Sequence, residues 1–256
     1  MFLFNTQNTG RTRKISAHRQ TWMNTDALDM TPSAKVQTEQ HIRNEERNQQ
    51  SRYRDQFAAQ RASMTIYELI DAENVRARAM AGAYDVGDMN KLEREARVNA
   101  PITVINELLQ QSNLPIRITI RENERVMASK NNGPEYSAAE LSDGERNALL
   151  IAGSVLTAKP GTLLIIDEPE RHLHRSIILP LLVQLFHRRS DCGFVISTHD
   201  PDLPLGICQA RVLLLRSCSF SGQNIQYWEA DELRANDPID DVLKRDLLGA
   251  AQNSVR

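Results

Sequence analysis

The arrangement of apolar residues divides the chain into two halves. In the second half three runs lack polar alternation: Leu163 to Ile166, Phe194 to Ile196 and Val212 to Leu215. Short continuous runs bounded by turn residues predict strands buried on both faces, as in a parallel sheet. Between them Ala148, Leu149, Ala152, Val155 and Leu156 recur at helical spacing, and Lys159-Pro160-Gly161 ends that helix. Ser176 to Arg189 predicts a second helix, with Pro180 bending it or lying near its start. Ile225 to Trp228 reads as an edge strand, and Asp237-Pro238 opens a last helix ending near Gly249. Alternating strands and helices of this kind predict an α/β fold, a parallel sheet flanked by helices.

The first half is patterned differently. Residues 1 to 14 show no element, and Arg13 to Ala17 predicts a short strand. Thr31-Pro32 is a helix start, followed by an almost wholly polar stretch from Lys35 to about Ser51. From Phe57 to Tyr84 a broad apolar face appears, built from Phe57, Met64, Ile66, Tyr67, Ile70, Ala77, Met80 and Tyr84. One helix over residues 35 to 84 would be about 75 Å long at 1.5 Å per residue, so the segment predicts an inserted arm or a bent helical hairpin. Gly87-Asp88 breaks it, a short charged helix follows to Val98, and Pro101 opens an amphipathic helix to about Gln111. Pro115 to Arg121 and Val126 to Lys130 predict two strands around Glu122-Asn123-Glu124. The expected divisions are a first-lobe remnant over 1–30, a helical lobe over 31–112, a second α/β part over 113–249 and a tail over 250–256.

Composition narrows the classes. A chain of 256 residues can bury a real core. A net charge of −2 and 5% aromatics give neither a basic track nor a stacking surface for nucleic acid. No apolar run is long enough to span a bilayer, Met1 to Phe4 is too short for a signal sequence, and the three cysteines have no framework spacing. These features predict a cytoplasmic protein with no membrane partner.

Three clusters carry candidate chemistry. Ser142-Asp143-Gly144-Glu145, just before an apolar helix, is a capping box. Such a helix start also presents free N–H groups and the positive end of the dipole to an anion, and Gly144 leaves the backbone open to one. The strand to Ile166 ends in Asp167-Glu168, and adjacent acids at a buried strand tip are costly unless a cation or a proton transfer uses them. The strand to Ser197 leads to His199. A zinc site at His172 and His174 is disfavoured, because side chains two residues apart do not share a helix face and no third ligand is suitably spaced.

LSDGER resembles the LSGGQ signature of ABC-type ATPases, LLIIDE their Walker B strand, and His199 their switch histidine, in the family's order. The resemblance is to the second half of an ABC-type P-loop NTPase head, and DEPERHLH looks like the RecF- and OLD-like branch rather than transporters. It implies ATP and Mg²⁺ as cofactors, with Asp167 holding the metal and Glu168 polarising the attacking water as general base. Ser142, Gly144 and Glu145 would belong to the nucleotide site, Gln20 would sense Mg²⁺ and water, and His199 would contact the γ-phosphate. It also implies a homodimer or head-to-head pairing. HRQTW, LSDGERNALL and IDEPERHLHRS together look like ATPases found beside retrons and phage-defence systems, which implies a nuclease-type effector elsewhere and leaves nucleic acid open as a partner.

One expected part is absent from the sequence. A phosphate loop, G-x-x-x-x-G-K-[ST], needs glycine followed by lysine, and no glycine here precedes a lysine. The expectation is therefore the C-terminal part of a longer or split ATPase. The alternative is a non-enzymatic head that acts as a pairing partner.

Overall fold

The computed structural model describes residues 12–16, 23, 26–27, 30–46, 57–122, 124–207, 210–222 and 224–233. The chain divides into two compact units, Met1–Ser197 and Thr198–Arg256. Gln20, Cys208 and the helix expected after Asp237 lie outside the described residues.

The first unit is an α/β arrangement around a parallel sheet flanked by helices. Strand β1 (Thr12–Ser16) starts it. Helix α1 (Pro32–Glu46) begins where Thr31 predicts, its hydroxyl accepting from Ala34 N at 3.2 Å. Helix α2 (Ala58–Asp85) takes up the broad apolar face and ends before Gly87, whose φ of +70° suits a residue without a Cβ. Asp88 then caps helix α3 (Met89–Arg97) by accepting from Lys91 N. Pro101 opens helix α4 (Pro101–Gln111).

Strands β2 (Ile116–Arg121), β3 (Arg125–Lys130) and β4 (Tyr136–Ser137) form a small antiparallel sheet in that order. Asn106 ties α4 to this sheet, its amide accepting from Ile118 N at 2.7 Å and donating to Ile118 O at 2.8 Å. A short turn then leads to helix α5 (Asp143–Leu156), strand β5 (Leu163–Asp167), helix α6 (Arg175–Arg188) and strand β6 (Gly193–Ser197). Pro180 lies inside α6.

The parallel sheet runs β1-β5-β6, with Ser16, Asp167 and Ser197 in register. Helix α5 is the centre of the core: ten of its residues from Glu145 to Val155 are buried, and it packs on α2, α4 and α6. A Cβ on Gly153 would lie 2.8 Å from Thr65 Cγ2, which sets the closeness of α5 to α2. Beside it Glu68, its side chain 10% exposed, accepts from Arg13, Lys35 and the Thr157 hydroxyl, so β1, α1, α2 and α5 share one charged knot.

Three strand expectations need correction. Strand β5 is fully buried on one face only: Leu164 and Ile166 are at 0%, while Leu163 and Ile165 are half-buried. Strand β6 alternates between exposed and half-buried because it is the edge of the described sheet. The second unit holds helix α7 (Asp202–Leu205) and strands β7 (Val212–Ser221) and β8 (Asn224–Leu233). Here the run Val212 to Leu215 is not a buried parallel strand. It forms an antiparallel ribbon with β8 in which Leu213 and Leu215 are exposed. An apolar run fixes neither the partner nor the direction of a strand.

Candidate functional site

The site is assembled where β5 ends and α5 begins. The capping box forms as the sequence predicts: Ser142 N donates to Glu145 Oε2 at 3.0 Å, and Glu145 N donates to Ser142 Oγ at 3.4 Å. The Ser142 hydroxyl also donates to Glu145 Oε2 at 2.8 Å, while Glu145 Oε1 accepts from Lys130 Nζ at 3.0 Å. Burial pushes the Glu145 carboxyl upward, but the Ser142 and Lys130 donors outweigh it and hold the group below its usual range. Glu145 thus joins strand β3 to the start of α5.

Gly144 has a packing reason in addition to the one expected. A Cβ there would lie 2.5 Å from the His172 carbonyl oxygen and 3.4 Å from Leu173 Cδ2. The space beside its Cα is filled by the loop that follows β5, so the residue must be glycine for the chain to pack on itself.

That loop, residues 168–174, carries the other candidates. Asp167 accepts from the Ser197 hydroxyl across the β5–β6 register. Glu168 turns out of the strand at φ +48°, its N–H donating to Ser197 O at 2.9 Å and its carboxylate paired with Arg171 at 3.1 Å. His172 is also left-handed, at φ +66°. Two such residues in five cost of order 1–3 kcal/mol each and persist only where the surroundings over-determine them. The surroundings here are Gly144 beneath the His172 carbonyl, Leu173 in the core, and Asn147, which donates to Arg171 O at 2.9 Å. Asn147 is only 1% exposed, and its Oδ1 has no hydrogen-bond partner. His174 closes the loop as the cap of α6, its Nδ1 accepting from Ser176 N at 3.2 Å.

The structure packs Gly144 against His172 and Leu173 of the loop that follows Asp167 and Glu168, and the capping box ties Ser142 and Glu145 to that turn. Of the other candidates, Gln20 lies outside the described residues, and His199 belongs to the second unit, in the turn that leads to α7. That turn is built by Thr198 Oγ1 accepting from Asp200 N and Asp200 Oδ1 accepting from Asp202 N. Asn147, Arg171 and Ser197 were not singled out by sequence reasoning. Asn147 offered a faint signal, a polar residue inside the apolar stretch of α5.

The residues fit the implied cofactors. Asp167 is half-buried, and among the described residues it has a hydroxyl as neighbour and no paired cation. Among those residues no three His, Cys, Asp or Glu side chains form a metal cage. Mg²⁺ is commonly held by one or two carboxylates together with phosphate oxygens, and one free carboxylate suits that mode. The 14-residue α5 supplies a helix start for an anion.

Comparison with solved structures finds SMC ATPase heads. One, from work on ATP-driven dimerization and DNA-stimulated activation of SMC ATPases, is 10% identical, covers 61% of this chain and 92% of its own, and has a TM-score of 0.43. A Smc head from Pyrococcus furiosus with an extended coiled coil, bound to the C-terminal domain of ScpA, is 14% identical over 86% of this chain and 56% of its own, with a TM-score of 0.42. A Smc head from Pyrococcus yayanosii is 11% identical over 89% and 52%, also at 0.42. The chain spans about half the length of the two Pyrococcus heads. No curated protein matches. Residues 30–205 match the family AAA_21, described as "AAA domain, putative AbiEii toxin, Type IV TA system", and the chain belongs to that family of ATPase-type domains.

Proposed function

We propose that this chain supplies the half of an ABC-type ATP site that acts on the terminal phosphate, and that the phosphate cradle comes from another polypeptide segment. The observation that carries this reading is the packing of the Ser142–Glu145 turn onto the loop that starts at Asp167 and Glu168. A helix start suited to phosphate and a carboxylate pair suited to metal and water are thereby built as one rigid piece.

In the proposed mechanism Ser142 and Gly144 would face the γ-phosphate of a nucleotide held by an opposing head. Asp167 would hold Mg²⁺, which would supply neutralisation of phosphate charge. Glu168 would take a proton from the attacking water, with Arg171 fixing where its carboxylate points. By motif order alone, His199 would contact the γ-phosphate and Gln20 would sense Mg²⁺ and the attacking water. The family description names a putative AbiEii toxin and a type IV toxin–antitoxin system, which supports a role in bacterial defence; a nuclease-type effector as partner rests on the sequence resemblance alone. The test is Glu168→Gln in the assembly that turns ATP over. Turnover should fall by about 10²–10⁴-fold with nucleotide binding kept, and an unchanged turnover number refutes the assignment.

A second reading is a head that pairs without hydrolysis. The absence of any glycine followed by lysine favours it. Nucleotide-dependent pairing with no turnover in either the unaltered or the Glu168→Gln assembly would select it.

A further inference from the structure

The outer part of α2 is unpartnered on one face. From Val75 to Val86 only Ala83 is buried among the described residues, and α3 packs on the other side, where Arg76 Nε donates to Val98 O at 3.1 Å. Val75, Ala79, Gly82 and Val86 recur at spacings of four and three, which puts them on one stripe roughly 60° wide at 100° per residue. Val75 is 52% exposed and Val86 77%. Gly82 sits inside the helix, where glycine is disfavoured, and no atom lies within 4 Å of the place a Cβ would take. The chain's own packing gives no reason for it.

The charges beside the stripe specify an occupant. Arg78 and Asp85 lie on the same flank, on opposite sides of Gly82. Among the described residues Arg78 reaches only Asp71, at 4.0 Å, and both are exposed. A two-fold axis through Gly82 and perpendicular to the helix places Arg78 of each copy opposite Asp85 of the other. The same operation sets Val86 of one copy near Ala79 of the other and leaves glycine against glycine at the closest approach. A parallel pairing would instead put the two charged flanks on opposite sides of the interface, where Arg78 of one copy does not meet Asp85 of the other.

We propose that this face of α2 pairs antiparallel with α2 of a second copy of the chain, crossing at Gly82. The pairing goes beyond the nucleotide reading: it uses none of the site residues and needs no nucleotide.

The experiment uses the whole chain with Cys192, Cys208 and Cys218 replaced by serine, carrying one new cysteine at a time. Under mild oxidation Gly82→Cys should give a covalent dimer on a non-reducing gel. Tyr84→Cys, on the opposite side of the helix, should stay monomeric. So should Val75→Cys, whose two copies would be about 21 Å apart along the axis at 1.5 Å per residue. In sedimentation, Arg78→Glu should weaken the dimer roughly tenfold, since two symmetric attractions become repulsions, and Arg78→Glu with Asp85→Arg should restore it. These are exposed positions, so folding is not at stake. The proposal is overturned by a chain that is monomeric at about 100 μM, by Val75→Cys or Tyr84→Cys crosslinking as readily as Gly82→Cys, or by a double charge swap that fails to restore pairing.

Discussion

Gly144→Ala is the substitution that separates the two reasons for a glycine in the signature turn. The added Cβ would start 2.5 Å from the His172 carbonyl oxygen, a backbone atom that no rotamer change can move aside. Reaching ordinary contact requires a shift of about 0.7–1 Å in the loop or in the start of α5, and overpacking of this kind costs about 1–3 kcal/mol. Replacing glycine by alanine inside a helix gains about 1 kcal/mol, so the net loss should be about 0–2 kcal/mol. Gly82→Ala is the internal control: a Cβ there meets nothing within 4 Å, so the same exchange should gain up to about 1 kcal/mol. Urea unfolding followed by circular dichroism, on dilute protein without nucleotide, measures both. If Gly144→Ala stabilises the chain as much as Gly82→Ala does, the loop does not rest on Gly144 and the packing argument fails.

Two further outcomes follow from the same structure. Glu68→Gln should cost about 2–4 kcal/mol in urea unfolding, the range for breaking a buried pair reduced for the part-exposed Arg13 and Lys35, because both cations lose their anion while Arg13 keeps only neutral acceptors; a loss under 1 kcal/mol would show the knot to be incidental. Glu145 has a folded pKa below its unfolded value near 4.5, so its contribution to stability is complete above that pH and is lost as pH falls through the folded value; Glu145→Gln should flatten the dependence of stability on pH below about 4.5, and an unchanged slope would contradict the Lys130–Glu145–Ser142 arrangement.

The legible parts of the fold were those in which one local signal decides the structure. Thr31-Pro32, Gly87-Asp88, Pro101 and the Ser142 capping box each mark an element boundary, and the structure starts or stops helices there. The strand ending at Asp167 was visible in its apolar run. Strand partners were not: Val212 to Leu215 has the composition of a sheet centre yet pairs with the next strand along the chain in an exposed antiparallel ribbon, and an apolar run does not say which neighbour a strand takes. Nor was the link between Asn147 and the Arg171 carbonyl legible, since 24 positions separate its ends and only the meeting of α5 with the loop creates it. Likewise the residue type at position 144 was readable, but its cause, a carbonyl from the loop after β5, was not.

The account's central claim is a division of labour, with this chain acting on a terminal phosphate that another segment grips. A titration of the purified chain with a fluorescent ATP analogue and Mg²⁺, alone and then with a strand–loop segment carrying G-x-x-x-x-G-K-[ST], addresses it most directly. The account predicts no saturable binding by the chain alone and saturable binding once the segment is present; tight binding by the chain alone would contradict it.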